Sequence, residues 1–203
     1  MVRCPECGGQ VITGGGRWAC LACGAKGCGR LEVEKMLKHS LEDQLILHEG
    51  LRLEVYKCPA GYWTVGVGRN LEGKPLRKHE QEHILGCSGL TPDQVIDILK
   101  ERGVTKDEAL FLLANDIDDA VADLRSFDWY EDLDPIRKKV VIDMRYNLGP
   151  TRFRQFKRMI AALSVGDYKI ASWEMQNSQW YHQVGNRSKR LIRMMATGED
   201  YEK

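Results

Sequence analysis

The 203-residue sequence predicts an α+β protein with two lobes, a small β-hairpin lobe and a mostly helical lobe, preceded by a short cysteine-rich unit. Three observations support this fold class. Apolar and polar residues alternate on both sides of a turn over residues 51–68, which is typical of a hairpin. After Gly89, apolar residues recur at helical spacing between capping residues and glycines. Five of the seven cysteines lie within residues 1–28, which sets that segment apart.

A chain of 203 residues is long enough for one hydrophobic core, or for one core plus a small appendage. The formal net charge is +1, so no global excess of charge indicates a nucleic-acid partner. No stretch approaches the roughly 18 apolar residues of a membrane span, and the N-terminus lacks the apolar region of a signal peptide. We therefore expect synthesis in a reducing cytoplasm, no membrane insertion and no nucleic-acid partner.

The charges are unevenly distributed along the chain. Residues 91–134 carry 4 basic and 13 acidic side chains, whereas residues 135–203 carry 14 basic and 6 acidic ones. The basic half suits an anionic polymer such as acidic bacterial cell wall. Attraction between the two halves of the chain is the simpler interpretation.

Residues 1–30 form a unit rich in Gly and Cys and poor in large apolar groups. It contains two CxxC motifs separated by 12 residues, and each motif places two thiolates on one tight turn. The spacer suits a small hairpin with Gly14–Gly16 at its tip. Because the unit has too little core to fold alone, we expect a structural zinc ion. The candidate zinc ligands are Cys4, Cys7, Cys20 and Cys23.

This unit is similar to a zinc ribbon, and two other interpretations compete with it. A CxxC motif is also found in redox pairs, and four thiolates also hold iron–sulfur clusters. Cys28 is a fifth thiol, which is either an alternative ligand or a bystander.

The main unit is predicted to span residues 31–203 and to begin with a helical segment. Leu37, Leu41, Leu45 and His48 recur at helical spacing. Ser40 and Asp43 resemble a capping box, so we expect a break near residue 39 and a linker helix before it. The second helix ends at Glu49-Gly50, where Gly50 can adopt the left-handed cap conformation.

Glu49 is the first candidate catalytic residue. The carbonyl end of a helix carries partial negative charge, which favours a protonated carboxyl group, as a general acid requires. A solvated glutamate at a helix end is the alternative, and the position alone does not decide between them.

The predicted hairpin has one packed face. Leu51, Leu53 and Val55 alternate with charged residues, and Trp63, Val65 and Val67 alternate with Thr64, Gly66 and Gly68. This period of two places Thr64 on the face opposite Trp63. We interpret the two glycines as the close approach of another backbone rather than as a phosphate-binding loop.

Residues 79–83 read HEQEH and match the zinc-protease motif HExxH. In a zinc protease this helix packs into a core, whereas the flanking residues here are charged on all sides. We therefore favour a solvated connecting segment over a zinc site.

Helices fill the rest of the chain. Their predicted starts are Thr91-Pro92, Thr105 with Glu108, Asp134-Pro135, Phe153, Asp167 and Asn186, and the glycines that end three of them are Gly103, Gly149 and Gly198. We interpret Trp173, Trp180 and Met194 as core residues. A cleft between the two lobes is where a ligand is expected.

The motif that carries a family resemblance is Glu49, eight residues, Cys58, five residues, Thr64, within the frame HEGLRLEVYKCPAGYWTVGVG. With SQWYHQVGNRSKRLI near the end, it resembles the T-even phage lysozymes, whose motif has Asp or Cys in second place. The resemblance covers residues 31–201. It implies a two-lobed phage-type lysozyme fold behind the zinc ribbon.

The resemblance also implies roles for the motif residues. Glu49 is expected to be the acid, while Cys58 and Thr64 orient or activate water on the opposite face of the sugar. A cysteine in a hairpin is often only a small apolar filler, but the spacing favours a catalytic role. No cofactor is expected for catalysis.

Further site residues follow from the same resemblance. Arg187 matches the arginine that pairs with the acid, which opposes the effect of the helix end on Glu49. Tyr146 and Asn147 match positions that contact the sugar, and Asn70 matches another. Glu174 stands where the family has a sugar-binding Asn, which leaves that contact open.

The implied function is that of an endolysin, which cuts the β-1,4 bond between N-acetylmuramic acid and N-acetylglucosamine in peptidoglycan. Such an enzyme waits in the host cytoplasm until a holin opens the inner membrane. The zinc ribbon would bind cell wall or another protein. The alternatives are a lytic transglycosylase that uses Glu49 alone and a non-enzymatic binding module.

Overall fold

The N-terminal part forms a three-stranded antiparallel sheet. The computed structural model describes residues 39–202, together with β1 (Val11–Gly14), β2 (Arg17–Cys20) and β3 (Lys26–Cys28). Gly14 lies opposite Arg17, which confirms the hairpin predicted between the two CxxC motifs. β3 pairs with β2 and was not predicted. The candidate ligands outside the described residues are Cys4, Cys7 and Cys23.

The first described helix leads into the second sheet, which belongs to the small lobe. α1 (Leu41–Glu49) begins at the predicted capping box, in which Asp43 N donates to Ser40 Oγ at 3.0 Å. The strands β4 (Arg52–Lys57), β5 (Trp63–Gly66) and β6 (Arg69–Asn70) follow in antiparallel order.

The register of this sheet fixes which side chains share a face. Thr64 lies opposite Tyr56 on β4 and opposite Asn70 on β6. Cross-strand partners point to the same side of a sheet, so these three residues share one face. Trp63 lies opposite Lys57 and points to the other side, which confirms the predicted orientation of Thr64.

Eight more helices complete the described part of the chain. They are α2 (Lys78–Leu85), α3 (Pro92–Arg102), α4 (Lys106–Leu124), α5 (Pro135–Phe153), α6 (Lys157–Ser164), α7 (Tyr168–Gln176), α8 (Gln179–Gln183) and α9 (Asn186–Thr197). The side chains predicted to cap α3, α4, α5 and α7 all accept backbone hydrogen bonds. Gly149, at φ 73° and ψ 167°, breaks α5 before Pro150, so Phe153 closes α5 instead of opening α6.

Three apolar clusters hold these elements together. The largest lies inside the helical lobe, where Met144, Phe153 and Leu191 are fully buried. A second joins the β4–β6 sheet to α3 and α4, and a third packs Leu45 against Val67 and Leu113. α4 therefore contributes to the packing of both lobes. No helix of the described residues is long and apolar enough to cross a bilayer.

The core assignment was right for two of three residues. Trp180 and Met194 are buried, as predicted. The assignment of Trp173 to the core was wrong, because this side chain is 55% exposed. α7 buries Ala171 and Met175 instead, and Trp173 lies between these two positions on the outer side of the helix.

The prediction of a solvated segment at residues 79–83 was wrong. These residues lie in α2, where Glu80 is fully buried and accepts from Arg69 Nη2 at 2.8 Å and from Arg77 Nη2 at 2.8 Å. The pairing with Arg69 of β6 explains why a charged segment packs inward. His83 is exposed and stacks on Phe111 with ring centroids 4.0 Å apart. No group of metal-ligating side chains was found among the described residues.

The buried Glu80 carboxylate should make the folded protein less stable in acid. Burial raises the pKa of this carboxyl, but hydrogen bonds from Arg77 and the charge of Arg69 lower it to about 2. A carboxyl whose pKa is depressed by folding stabilises the protein above its ordinary pKa, and that contribution is lost as the pH falls towards 2. Glu80→Gln should reduce the free energy of unfolding at pH 7 by about 3 kcal/mol, because it removes the buried negative charge that Arg69 and Arg77 share.

Urea unfolding at pH 7 and at pH 3 measures this effect. The difference between wild type and Glu80→Gln should shrink at the lower pH. Glu131→Gln is the control, since Glu131 pairs with Arg125 and Lys138 at an exposed site and should cost less than about 1 kcal/mol. Equal losses for the two variants would contradict the prediction.

Candidate active site

Glu49 is the last residue of α1 and lies where the helix turns into β4. Gly50 N donates to Ile46 O at 2.9 Å and has φ 79° and ψ 165°. The positive φ agrees with the prediction, but ψ is extended rather than left-handed helical, so the chain runs directly into the strand. Oε2 of Glu49 faces Gly68, where a Cβ would lie 3.5 Å from that oxygen. The glycine thus leaves open space beside the carboxyl group.

The other carboxyl oxygen of Glu49 is held by Arg187. Arg187 Nη1 donates to Glu49 Oε1 at 2.5 Å, so the ion pair implied by the resemblance is present. The arginine side chain is 6% exposed and that of Glu49 is 21% exposed. The geometry therefore leaves Glu49 accessible, with a fixed positive charge on its inner side.

Cys58 lies in the tight turn after β4. Its N–H donates to Tyr62 O at 2.9 Å, and Gly61 N donates back to Cys58 O at 2.8 Å. The Thr64 hydroxyl, almost fully buried, lies against both the Tyr62 carbonyl oxygen at 3.1 Å and the Cys58 thiol. The turn and the hydroxyl together hold the thiol in one place.

This environment favours the thiolate of Cys58. Partial burial raises the pKa of the thiol, but hydrogen bonds to the Tyr62 backbone and to the Thr64 hydroxyl outweigh it and lower the pKa below its ordinary value. A thiolate can accept a proton from water, attack an electrophilic carbon or position a water molecule.

Tyr56 is a site residue that the sequence analysis missed. It pairs with Thr64 across the sheet, and the Arg52 guanidinium lies 4.3 Å from the centre of its ring. Burial raises the pKa of Tyr56, the Arg52 charge lowers it, and the negative charges of Cys58 and Glu49 raise it further. The ring is therefore close to both candidate catalytic groups. The alternation that places Thr64 on its face would have found this partner.

The two residues on α5 that match sugar-contacting positions both form hydrogen bonds within the protein. Tyr146 OH donates to Val67 O at 2.6 Å and ties the helical lobe to the hairpin. Burial raises the pKa of Tyr146 well above its ordinary value, so the phenol remains a donor. Asn147 Oδ1 accepts from Trp180 Nε1 at 2.9 Å, which leaves its amide NH₂ available to a ligand.

Asn70 and Glu174 lie in different surroundings. Asn70 Oδ1 accepts from Glu72 N at 3.0 Å and from Gly73 N at 2.8 Å, so its carbonyl is used in a turn. Glu174 of α7 lines a cavity of about 710 Å³ together with Phe156 and Trp180. None of the motif residues of the hairpin lines this cavity, which belongs to the helical lobe.

Asp143 is a buried residue of the site for which the sequence analysis had no role. Asp143 Oδ1 accepts from Arg187 Nε at 2.7 Å, and Oδ2 contacts His48 Nδ1 and Gln44 Nε2, each at 2.7 Å. Burial raises the pKa of Asp143, whereas the His48 hydrogen bond and the Arg187 charge lower it below its ordinary value. An acidic residue within the apolar run VVIDM was the signal that could have found it.

Comparison with known proteins agrees with this architecture. The phage lysozyme family model matches residues 47–196. Two proteins of Dictyostelium discoideum, Probable T4-type lysozyme 1 and Probable T4-type lysozyme 2, are 32% and 30% identical over 164 residues, covering 78% of this chain and 95% of each relative. The Pre-baseplate central spike protein Gp5 of Enterobacteria phage T4 is 27% identical over 78% of this chain, which spans 28% of that protein.

The α+β architecture and the family match together support a glycoside hydrolase of the lysozyme type. The chain belongs to the phage lysozyme family. Its activity is therefore that of a lysozyme-like peptidoglycan hydrolase.

A second family model, a zinc finger in ubiquitin hydrolases and other proteins, matches residues 4–62. Its last part overlaps the lysozyme match. Within the overlap, β4 pairs with β5, which lies beyond the zinc-finger match. The match itself supports zinc binding at the N-terminus.

Proposed function

We propose that this protein is a muramidase that hydrolyses the β-1,4 bond between N-acetylmuramic acid and N-acetylglucosamine. The observation that carries the proposal is the pairing of Glu49 with Arg187 through Oε1, while Oε2 lies beside Gly68 and accepts no hydrogen bond from the described residues. Membership of the phage lysozyme family supports the same substrate.

In this mechanism Glu49 protonates the glycosidic oxygen as the bond breaks. Water attacks the opposite face of the sugar, and Cys58 with Thr64 orients it and accepts its proton. Arg187 then stabilises the carboxylate that Glu49 becomes. The lowered pKa of Cys58 supports its part, since a thiolate accepts a proton more readily than a thiol.

A lytic transglycosylase is the second candidate, because it needs an acid but no base for water. Mass spectrometry of the products from purified peptidoglycan separates the two reactions. We expect reducing N-acetylmuramic acid ends. Anhydro ends would show transglycosylation, and no soluble products from several wall types would rule out both.

The proposed zinc site uses Cys4, Cys7, Cys20 and Cys23, and zinc would hold the N-terminal unit together. The hairpin of β1 and β2 supports it, because it is the element expected between two CxxC motifs. Cys28 lies opposite Arg17. Arg17 and Cys20 are three residues apart on β2, which is roughly 10 Å at the rise of a strand, so Cys28 lies at least that far along the sheet from Cys20. This distance argues that Cys28 is a bystander.

The proposed biological role is that of an endolysin, held in the host cytoplasm until the inner membrane opens. The zinc unit would bind either cell wall or another protein. The charges of the helical lobe favour an anionic wall. Arg145 and Arg154 pair with Asp123 and Lys138 pairs with Glu131, so the two halves attract each other in part. Several cations form no ion pair with a described carboxylate, namely Arg152, Lys157, Arg158, Lys169, Lys189, Arg190 and Arg193.

A further inference from the structure

The buried carboxylate of Asp143 connects two helices that meet at the candidate active site. One oxygen accepts from Arg187 of α9, and the other contacts Gln44 and His48 of α1. Asp143 is fully buried, and the side chain of His48 is 2% exposed. Since Glu49 follows His48 directly, α1 holds the acid itself and also one end of the network behind it.

Arg187 uses different guanidinium nitrogens for Asp143 and for Glu49. Nε donates to Asp143 Oδ1 at 2.7 Å, and Nη2 donates to the backbone oxygen of the same residue at 3.3 Å. Only Nη1 reaches Glu49, at 2.5 Å from Oε1. Asp143 therefore holds two of the three nitrogens and aims the third at one oxygen of the acid.

We infer that Asp143 and His48 are positioning residues, which act through Arg187 to keep Oε2 of Glu49 free to deliver its proton. The inference rests on the proposed function. Asp143 restrains the guanidinium, and His48 and Gln44 restrain Asp143. Without this restraint, Arg187 can turn and bind both oxygens of Glu49, as guanidinium groups do with carboxylates. Both oxygens of Glu49 would then accept from the guanidinium, and neither would face the glycosidic oxygen.

The hydrogen bonds also determine the tautomer of His48. Because Asp143 is ionised and only accepts, Nδ1 of His48 must carry a proton. Nε2 is buried and has no hydrogen-bond partner among the described residues, and the same holds for Oε1 of Gln44. The bond to Asp143 is therefore the contact that orients the imidazole.

Asp143→Asn tests the inference, because it keeps the shape of the side chain and removes its charge. We expect kcat on soluble peptidoglycan fragments to fall about 10- to 100-fold, while KM stays within about twofold, since a small displacement of a catalytic group costs rate rather than binding.

Asp200→Asn is the matched control. Asp200 pairs with Lys139 at 2.9 Å, and the lysine of this buried pair lies on α5 one turn before Asp143. It should lower stability without changing kcat by more than about twofold. The inference would be overturned if Asp200→Asn lowered kcat as much as Asp143→Asn does, or if Asp143→Asn kept the wild-type kcat.

Nitrogen-15 NMR of the histidines supplies a readout that does not depend on turnover. The full-length wild type should show a proton on His48 Nδ1 that exchanges slowly, and Asp143→Asn should lose that signal. An Nδ1 without a proton in the wild type would overturn the inference even if the enzyme is active. An inactive wild type that shows the signal would instead count against the proposed function alone.

Discussion

Glu49→Gln should lower kcat on peptidoglycan by about 10²- to 10⁴-fold, the range that a general acid contributes. The amide has nearly the shape of the acid but no proton to give to the leaving oxygen. Its carbonyl oxygen can still accept from Arg187, and Asp143 still neutralises the guanidinium, so the fold should persist.

The rate of release of reducing ends measures this loss, and circular dichroism checks that the variant is folded. Glu42→Gln is the control, because Glu42 is an exposed carboxylate in the first turn of the same helix. The control should keep wild-type activity. A folded Glu49→Gln variant with more than about a third of the wild-type kcat would mean that another group supplies the proton.

Local signals in the sequence predicted much of the fold. Ser40, Thr91, Thr105 and Asp134 cap helices as expected, because an N-cap depends only on residues three positions apart. The alternation around Thr64 likewise predicted its face of the sheet, since the period of a strand needs no distant partner. These features are encoded within one turn or one strand.

The buried charges could not be predicted in this way. Glu80 appeared solvated because its segment is charged, and its partner Arg69 lies on a separate strand. Asp143 has no local partner at all, since His48 is 95 residues away in the chain. A charged residue is expected at the surface until its counter-charge is known, and only the tertiary fold supplies that partner.

In the candidate site, too, some residues were predicted from the sequence and others were revealed only by the tertiary structure. The resemblance supplied the positions of Glu49, Cys58, Thr64 and Arg187, and the structure gives the contact between the first and the last of them. The catalytic roles of these residues remain predictions. Asp143 lies outside the motif, and Tyr56 lies between two of its residues. Neither was recognised, because the motif is defined by only three positions.

Cys58→Ala should lower kcat about 100-fold if the thiolate accepts the proton of the attacking water. Alanine fits the turn, because the hydrogen bonds between Cys58 and Tyr62 and between Gly61 and Cys58 are made by backbone atoms. The fold should therefore survive while the proton acceptor is lost.

Cys58→Asp supplies the opposite test, since the family motif accepts Asp at this position. We expect it to keep kcat within about tenfold of the wild type. The two enzymes should differ in their dependence on pH. The wild type should gain activity as the pH rises through the lowered pKa of Cys58, whereas the aspartate variant should reach its plateau near its ordinary pKa of about 4.

Selective alkylation of the thiol is a further test of the role of Cys58. Cys87 is a free and exposed thiol, so the experiment uses a Cys87→Ser background with zinc present throughout. Modification of Cys58, located by peptide mass spectrometry, should abolish turnover in that background and leave Cys58→Asp unaffected. Full activity after complete modification, or an alanine variant within about threefold of the wild type, would show that Cys58 is only a small side chain filling the turn. The water would then have to be positioned by Thr64 alone, whose hydroxyl is a far weaker base than a thiolate or a carboxylate.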